Sequence, residues 1–166
     1  MQIAMAANGF MCTISLSTYI YRLKMSNQAD KTLCHISIGT NQLELAVAFY
    51  DALLPTLNIN RVVEHEQAVA YGKNGYPTFW VQIPFDQQKA SVGNGSHIGF
   101  MATNKAQVQQ FYQLALELGA TCNGKPGPRS EYGEPYYGCF VIDLDGHKIE
   151  ASFWDVELAD KIYGKK

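Results

Sequence analysis

The side chains best suited to chemistry in this sequence are two imidazoles and one carboxylate. His35 begins the run His-Ile-Ser-Ile-Gly and His97 the run His-Ile-Gly-Phe, 62 residues further on. Glu150 lies in the alternating run Lys148 to Phe153. Neutral imidazoles and a carboxylate suit one divalent ion, Zn, Ni, Mn or Fe, and three protein ligands leave positions open for water or substrate. The same carboxylate is able to carry a proton during catalysis.

Bringing these residues together requires a scaffold, and the scaffold is duplicated. Phe49-Tyr50 recurs as Phe111-Tyr112 at the same 62-residue spacing as the two His-Ile pairs. Cys34 to Gly39 and Ser96 to Met101 alternate as strands do, and each precedes an N-cap signal, Thr40-Asn41 or Thr103-Asn104. A first helix is predicted from Leu43 to Leu54, with Leu45, Phe49 and Leu53 on its apolar face and Pro55 ending it. A second carries Val108, Phe111, Tyr112, Ala115 and Leu118 and stops at Gly119. Strands follow each helix, at 60–64, 68–71 and 78–83 in the first copy and at 120–122, 137–144 and 148–153 in the second. Asn74-Gly75 and Asp145-Gly146 read as type I′ hairpin turns.

The fold class is therefore α+β: two βαβββ modules, 33–94 and 95–156, forming a curved mixed sheet with the helices outside. Gly93-Asn94-Gly95 joins the modules; 1–32 is an extension without assigned role, in which Met25 is a second candidate start, and 157–166 is a tail. Strand parity groups His35 with Ser37 and Gly39, His97 with Gly99, and Glu150 with Lys148 and Ser152. The isoleucines, on the opposite parity, go to the helices. The three candidate ligands thus look into the concave face, where the repeat symmetry is expected to bring them together.

Composition narrows the partners. Of 166 residues 47% are hydrophobic, enough for a packed core, and 13 basic against 15 acidic residues leave a net charge of −2. That balance argues against nucleic acid or an anionic membrane surface. The longest apolar runs fall far short of the roughly 20 residues that cross a bilayer. The first residues carry no basic residue before Arg22, unlike a secretory signal. Four cysteines without a C-x-x-C pair fit reduced thiols, so a cytoplasmic location is expected.

Taken together, HISIGT followed by FYDALL, the second SHIGF, and FVIDLDGHKIEASF resemble the vicinal oxygen chelate superfamily of glyoxalases, bleomycin-resistance proteins and extradiol dioxygenases. The resemblance covers His35 to about Trp154 and is strongest to small glyoxalase-like, lactoylglutathione lyase-like members. It implies metal ligands at His35, His97 and Glu150, an enzyme acting on a small oxygen-rich or thiol-conjugated molecule, and a homodimer. The sequence departs from glyoxalase I in the last strand of the first module. Counting from the turn glycine maps Glu150 onto Phe79, a slip offers Trp80 or Gln82, and TFWVQI holds no acid. A metal-free ligand-sequestering protein, as in bleomycin resistance, and an extradiol-type dioxygenase remain the alternatives.

Candidate substrate contacts are Trp80 and Gln82 on the strand face that lacks the acid. Arg129, Tyr132 and Tyr137, with Tyr136, lie in the loop GKPGPRSEYGEPYY, where a cation and phenols suit an anionic or carbonyl group. His65 and His147 read as exposed turn residues outside the site. Cys34 points with the isoleucines, and no sequence feature supplies beside Cys139 the base that a nucleophile needs.

Overall fold

The computed structural model describes residues 2–7, 10–15 and 33–164. The chain divides into two compact units, Met1–Cys34 and His35–Lys166. In the first, β1 (Gln2–Ala7) and β2 (Phe10–Ser15) form an antiparallel ladder with Gln2 opposite Ser15 and Ala7 opposite Phe10. Met25 lies outside the described residues.

The second unit contains both βαβββ modules. The first comprises β3 (Ile36–Gly39), α1 (Leu43–Leu53), β4 (Asn60–His65), β5 (Ala68–Lys73) and β6 (Tyr76–Gln82). The second comprises β7 (Ile98–Met101), α2 (Lys105–Glu117), β8 (Thr121–Gly127), β9 (Tyr136–Ile142) and β10 (Lys148–Trp154). Each forms a four-stranded mixed sheet, ordered β3-β6-β5-β4 and β7-β10-β9-β8, with only the first-listed pair parallel. The α+β class and the duplicated module are as the repeat requires. The joined sheet is not formed: β3 and β7 are not hydrogen-bonded to each other. A cleft of about 810 Å³ runs between Ile36–Gly39 on one side and Ser91–Ile98 with Gly146–Lys148 on the other. The segment read as a tail contains a further helix, α3 (Val156–Tyr163), whose N-cap Asp155 accepts the Leu158 N–H.

Helix burial follows the four-residue spacing with one shift. In α1 the buried side chains are Ala46, Phe49, Tyr50 and Leu53, whereas Leu45 is exposed, so the apolar stripe turns toward Tyr50. Pro55 converts the last turn into a 3-10 segment, Leu54–Leu57, instead of ending the helix outright. Asn104 caps α2 by accepting the Gln107 N–H, whereas Gln42, at the N-cap of α1, makes no side-chain cap and its own N–H is accepted by the Thr40 hydroxyl oxygen at 3.0 Å. Gly119, at φ 98°, takes the left-handed turn that stops α2. Both modules share one core. Phe79 meets Phe100 edge-to-face at 5.1 Å, and Leu53, Leu54, Leu57, Val108 and Phe111 are fully buried, each contributing about 1.5–3 kcal/mol of burial free energy.

The two hairpin turns differ. Asn74 and Gly75 both have positive φ, as a type I′ turn demands; at Asp145-Gly146 only the glycine does. The second turn is instead organised by carboxylates. Asp143 Oδ1 accepts the backbone N–H groups of Asp145 and His147, and its Oδ2 accepts the Tyr50 hydroxyl of the first module at 2.6 Å. Asp145 accepts the Thr40 hydroxyl at 2.5 Å and the Asn41 N–H at 3.1 Å. His147 is half-buried, not exposed, and its Nε2 donates to the Gly39 carbonyl at 2.7 Å. A turn in the second module therefore holds the start of α1 and the end of β3 in the first.

Removing the Tyr50 hydroxyl leaves the buried Asp143 carboxylate one donor short. Tyr50→Phe is expected to cost about 1.5–3 kcal/mol, read as a lower urea midpoint at unchanged m-value. Burial first, then Asp143, pushes the Tyr50 phenol well above its ordinary range, and Tyr71 is raised by burial and Asp51. These phenols keep protons that the unfolded chain releases near pH ~10, so their contribution is complete below that pH and stability falls above it. Alkaline denaturation followed by circular dichroism should show the fall, with a shallower slope in Tyr50→Phe.

Candidate functional site

The second module provides a buried carboxylate with two donors. Glu150 is on β10, opposite Phe140 of β9 and Gly99 of β7, and is 8% exposed. The Tyr136 hydroxyl donates to Glu150 Oε1 at 2.7 Å, and His97 Nε2 lies 3.2 Å from Oε2. His97 immediately precedes β7 and remains half exposed. Gly138 makes this geometry possible, because a Cβ there would overlap the Tyr136 hydroxyl, whereas one at Gly99 would only touch Glu150 Oε2 at 3.4 Å. Burial first, then the carboxylate, pushes the Tyr136 phenol above its ordinary range, so it stays a neutral donor.

The first module departs from this pattern at one residue. Trp80 is opposite Ser37 of β3 as Glu150 is opposite Gly99 of β7, which makes Trp80 the counterpart of the carboxylate. The count to Phe79 is off by one because Thr78 is an inserted residue: Gly72 pairs with Pro77 but Tyr71 with Phe79. Trp80 is half-buried, with the His65 ring stacked on it at 6.0 Å and 10° and the His35 ring at 6.3 Å, edge-on. Gln82, also half-buried, ends the strand opposite Gly39. The structure therefore brings His97 to Glu150 and His35 to Trp80. Among the described residues no group of three His, Cys, Asp or Glu side chains is close enough to hold an ion.

The loop candidates separate by strand parity. Tyr136 shares its face of β9 with Gly138 and Phe140, while Tyr137 is on the helix side, where Gln109 Nε2 donates to its hydroxyl and Lys105 is 5.5 Å from its ring. Tyr137 is therefore not beside Glu150; the sequence signal for Tyr136 was its even spacing from Glu150's ladder partner, Phe140. Tyr132 is exposed and packs edge-on against Tyr136 at 4.9 Å. Arg129 lies over Gly124 and Gly127, bonded to the Lys125 and Pro128 carbonyls. The strand expected to end at Cys122 runs on through Gly127, its glycines and proline absorbed by two ladder irregularities at a sheet edge. Cys139 is buried, and its thiol is pushed up to about 12, chiefly by burial, which fits no nucleophilic role.

An ion with bonds of about 2.1 Å sets neighbouring ligand atoms roughly 3.0–3.4 Å apart. The His97–Glu150 spacing of 3.2 Å matches one such edge and equally a hydrogen bond, so two of the three expected donors fit an ion. Without an ion, the carboxylate is still an oriented proton acceptor. Tyr136→Phe is expected to cost about 1.5–3 kcal/mol of stability, since it strands a buried charge with one donor fewer. Glu150→Gln, which removes the charge as well, should cost less; equilibrium urea unfolding of the two variants checks the order.

Residues 32–151 match the family model for the Glyoxalase/Bleomycin resistance protein/Dioxygenase superfamily. A crystal structure of a glyoxalase/bleomycin resistance protein from Albidiferax ferrireducens T118 is 34% identical over 74% of this chain and 98% of that one, with a TM-score of 0.67. A glyoxalase-related enzyme from Fulvimarina pelagi is 17% identical over 74% and 88%, with a TM-score of 0.59. The genomically encoded fosfomycin resistance protein of Listeria monocytogenes is 17% identical over 76% and 96%, with a TM-score of 0.56. No curated protein matches the chain. With the family model covering most of the second unit, the chain belongs to the Glyoxalase/Bleomycin resistance protein/Dioxygenase superfamily.

Proposed function

We propose that the chain is a glyoxalase-like enzyme acting on a small oxygen-rich or thiol-conjugated molecule, with Glu150 as the group that moves a proton. The observation that carries this reading is the buried Glu150 carboxylate held by Tyr136 at 2.7 Å and facing His97 at 3.2 Å. Tyr136 fixes one oxygen, and the other is free to exchange its His97 partner for substrate. A divalent ion, when bound, would polarise substrate oxygens; His97 and Glu150 would hold it, with His35 as the third donor that the family likeness implies. A second copy of the chain is the protein partner in this reading.

Elemental analysis of purified protein tests the metal. About one equivalent of divalent ion is expected after dialysis, with retention lost in His97→Ala and weakened in His35→Ala. Unchanged content in His97→Ala rejects the site.

A metal-free ligand-binding role is the second reading, and Trp80 favours it. An indole stands where a second carboxylate would stand, and His97, Glu150 and Tyr136 satisfy one another without an ion. It requires ligand binding that survives a chelator, with no chelator-sensitive turnover.

A further inference from the structure

Two cations flank one aromatic ring beside Glu150. Lys148 Nζ is 4.5 Å from the centre of the Phe140 ring and the Arg129 guanidinium carbon is 5.9 Å from it. Phe140 is the ladder partner of Glu150, so the ring marks the position next to the carboxylate. Lys148 and Arg129 are both half-buried, and neither has a carboxylate within ion-pair distance among the described residues. Two cations gathered at one ring leave room for a shared counter-charge, of which a ring face supplies only part. Glu150 does not supply it, because its oxygens face Tyr136 and His97. Arg129 uses two of its five N–H donors on backbone carbonyls, which braces the guanidinium and leaves donors available. Lys148 also lines the cleft between the modules, together with His97 and His147, and no acidic residue lines that cleft.

We propose that Arg129 and Lys148 hold the oxyanion of the substrate beside the Phe140 ring, so that the substrate is a small organic acid whose anionic group anchors near Glu150. The charge-assisted contacts fix the acid, and the carbon next to it lies toward the carboxylate that moves the proton. The inference rests on the reading that Glu150 is the reacting group, and it adds to it the charge of the substrate and Lys148 as a binding residue.

The test uses the full chain freed of metal by chelation, titrated with acetate and with methylphosphonate by calorimetry at low salt, and with acetamide as the uncharged control. Saturable binding of at least one anion and none of acetamide is expected, and the stronger anion identifies the acid as carboxylate or phosphonate. Lys148→Met, which keeps the stem on Phe140, and Arg129→Met should each weaken binding about tenfold, while Lys148→Arg retains it. Raising salt from about 20 to 200 mM should weaken binding to the unsubstituted protein several-fold, a readout that does not depend on a variant folding. Anion binding equal in both Met variants, binding of acetamide as tight as acetate, or no anion binding at all overturns the proposal. Its failure is separable from that of the enzymatic reading: ion retention that depends on His97 stands or falls without Lys148, and anion binding in chelated protein stands or falls without the ion.

Discussion

The arrangement of this molecule depends on a carboxylate that is out of water and fully engaged. Asp143 collects two backbone N–H groups of its own turn and the Tyr50 hydroxyl of the other module. Burying such a charge is unfavourable unless its lone pairs are met, so the three donors must be present together. They are present together only when the two modules sit in one relative position. Asp145 and His147 extend the same logic to Thr40, Asn41 and Gly39, so a five-residue stretch of one hairpin fixes where the first strand of the other module ends and its first helix begins. Each module alone has a small core; joined through this turn and through the Phe79–Phe100 contact, they share a larger one.

The two modules are built alike and finished differently. On the second, a carboxylate, an imidazole and a phenol form a polar set over bare glycine backbone. On the first, an indole lies between two imidazoles. A duplicated scaffold permits this because each ladder position is an independent choice once the core is satisfied: Val81 and Phe79 face inward whatever Trp80 does. The side-chain sets are therefore asymmetric on a nearly symmetric frame, with polar hydrogen-bonding groups on one module and an aromatic wall on the other.

What the sequence disclosed, and what it withheld, follows from the range of each interaction. The repeat, the strand parity and the helix stop at Gly119 can be read without knowing any tertiary contact, and they were sufficient for the modules and for the meeting of His97 with Glu150. The count from the turn glycine failed at β6 because one inserted residue, Thr78, has no marker in composition; only the ladder partner reveals it. Tyr136 and Tyr137 are adjacent and chemically equal, and only the ladder, which sets Phe140 opposite Glu150, tells which of them is on the carboxylate's face. His147 looked like a solvated turn residue because its partner, the Gly39 carbonyl, is 108 positions away. Likewise Leu45 fits the apolar spacing of α1 and is nevertheless exposed, since which of two adjacent stripes is covered depends on the other module.

The contact between His147 and the Gly39 carbonyl carries a consequence for the protein's behaviour in a crowded solution. Unsatisfied main-chain groups along an outermost strand recruit other strands, and recruitment of that kind leads to aggregates. Here the terminal acceptor of such a strand is already committed to an imidazole from within the same fold. The arrangement takes one acceptor of that border out of reach of another strand, while a gap of about 810 Å³ stays open beside it.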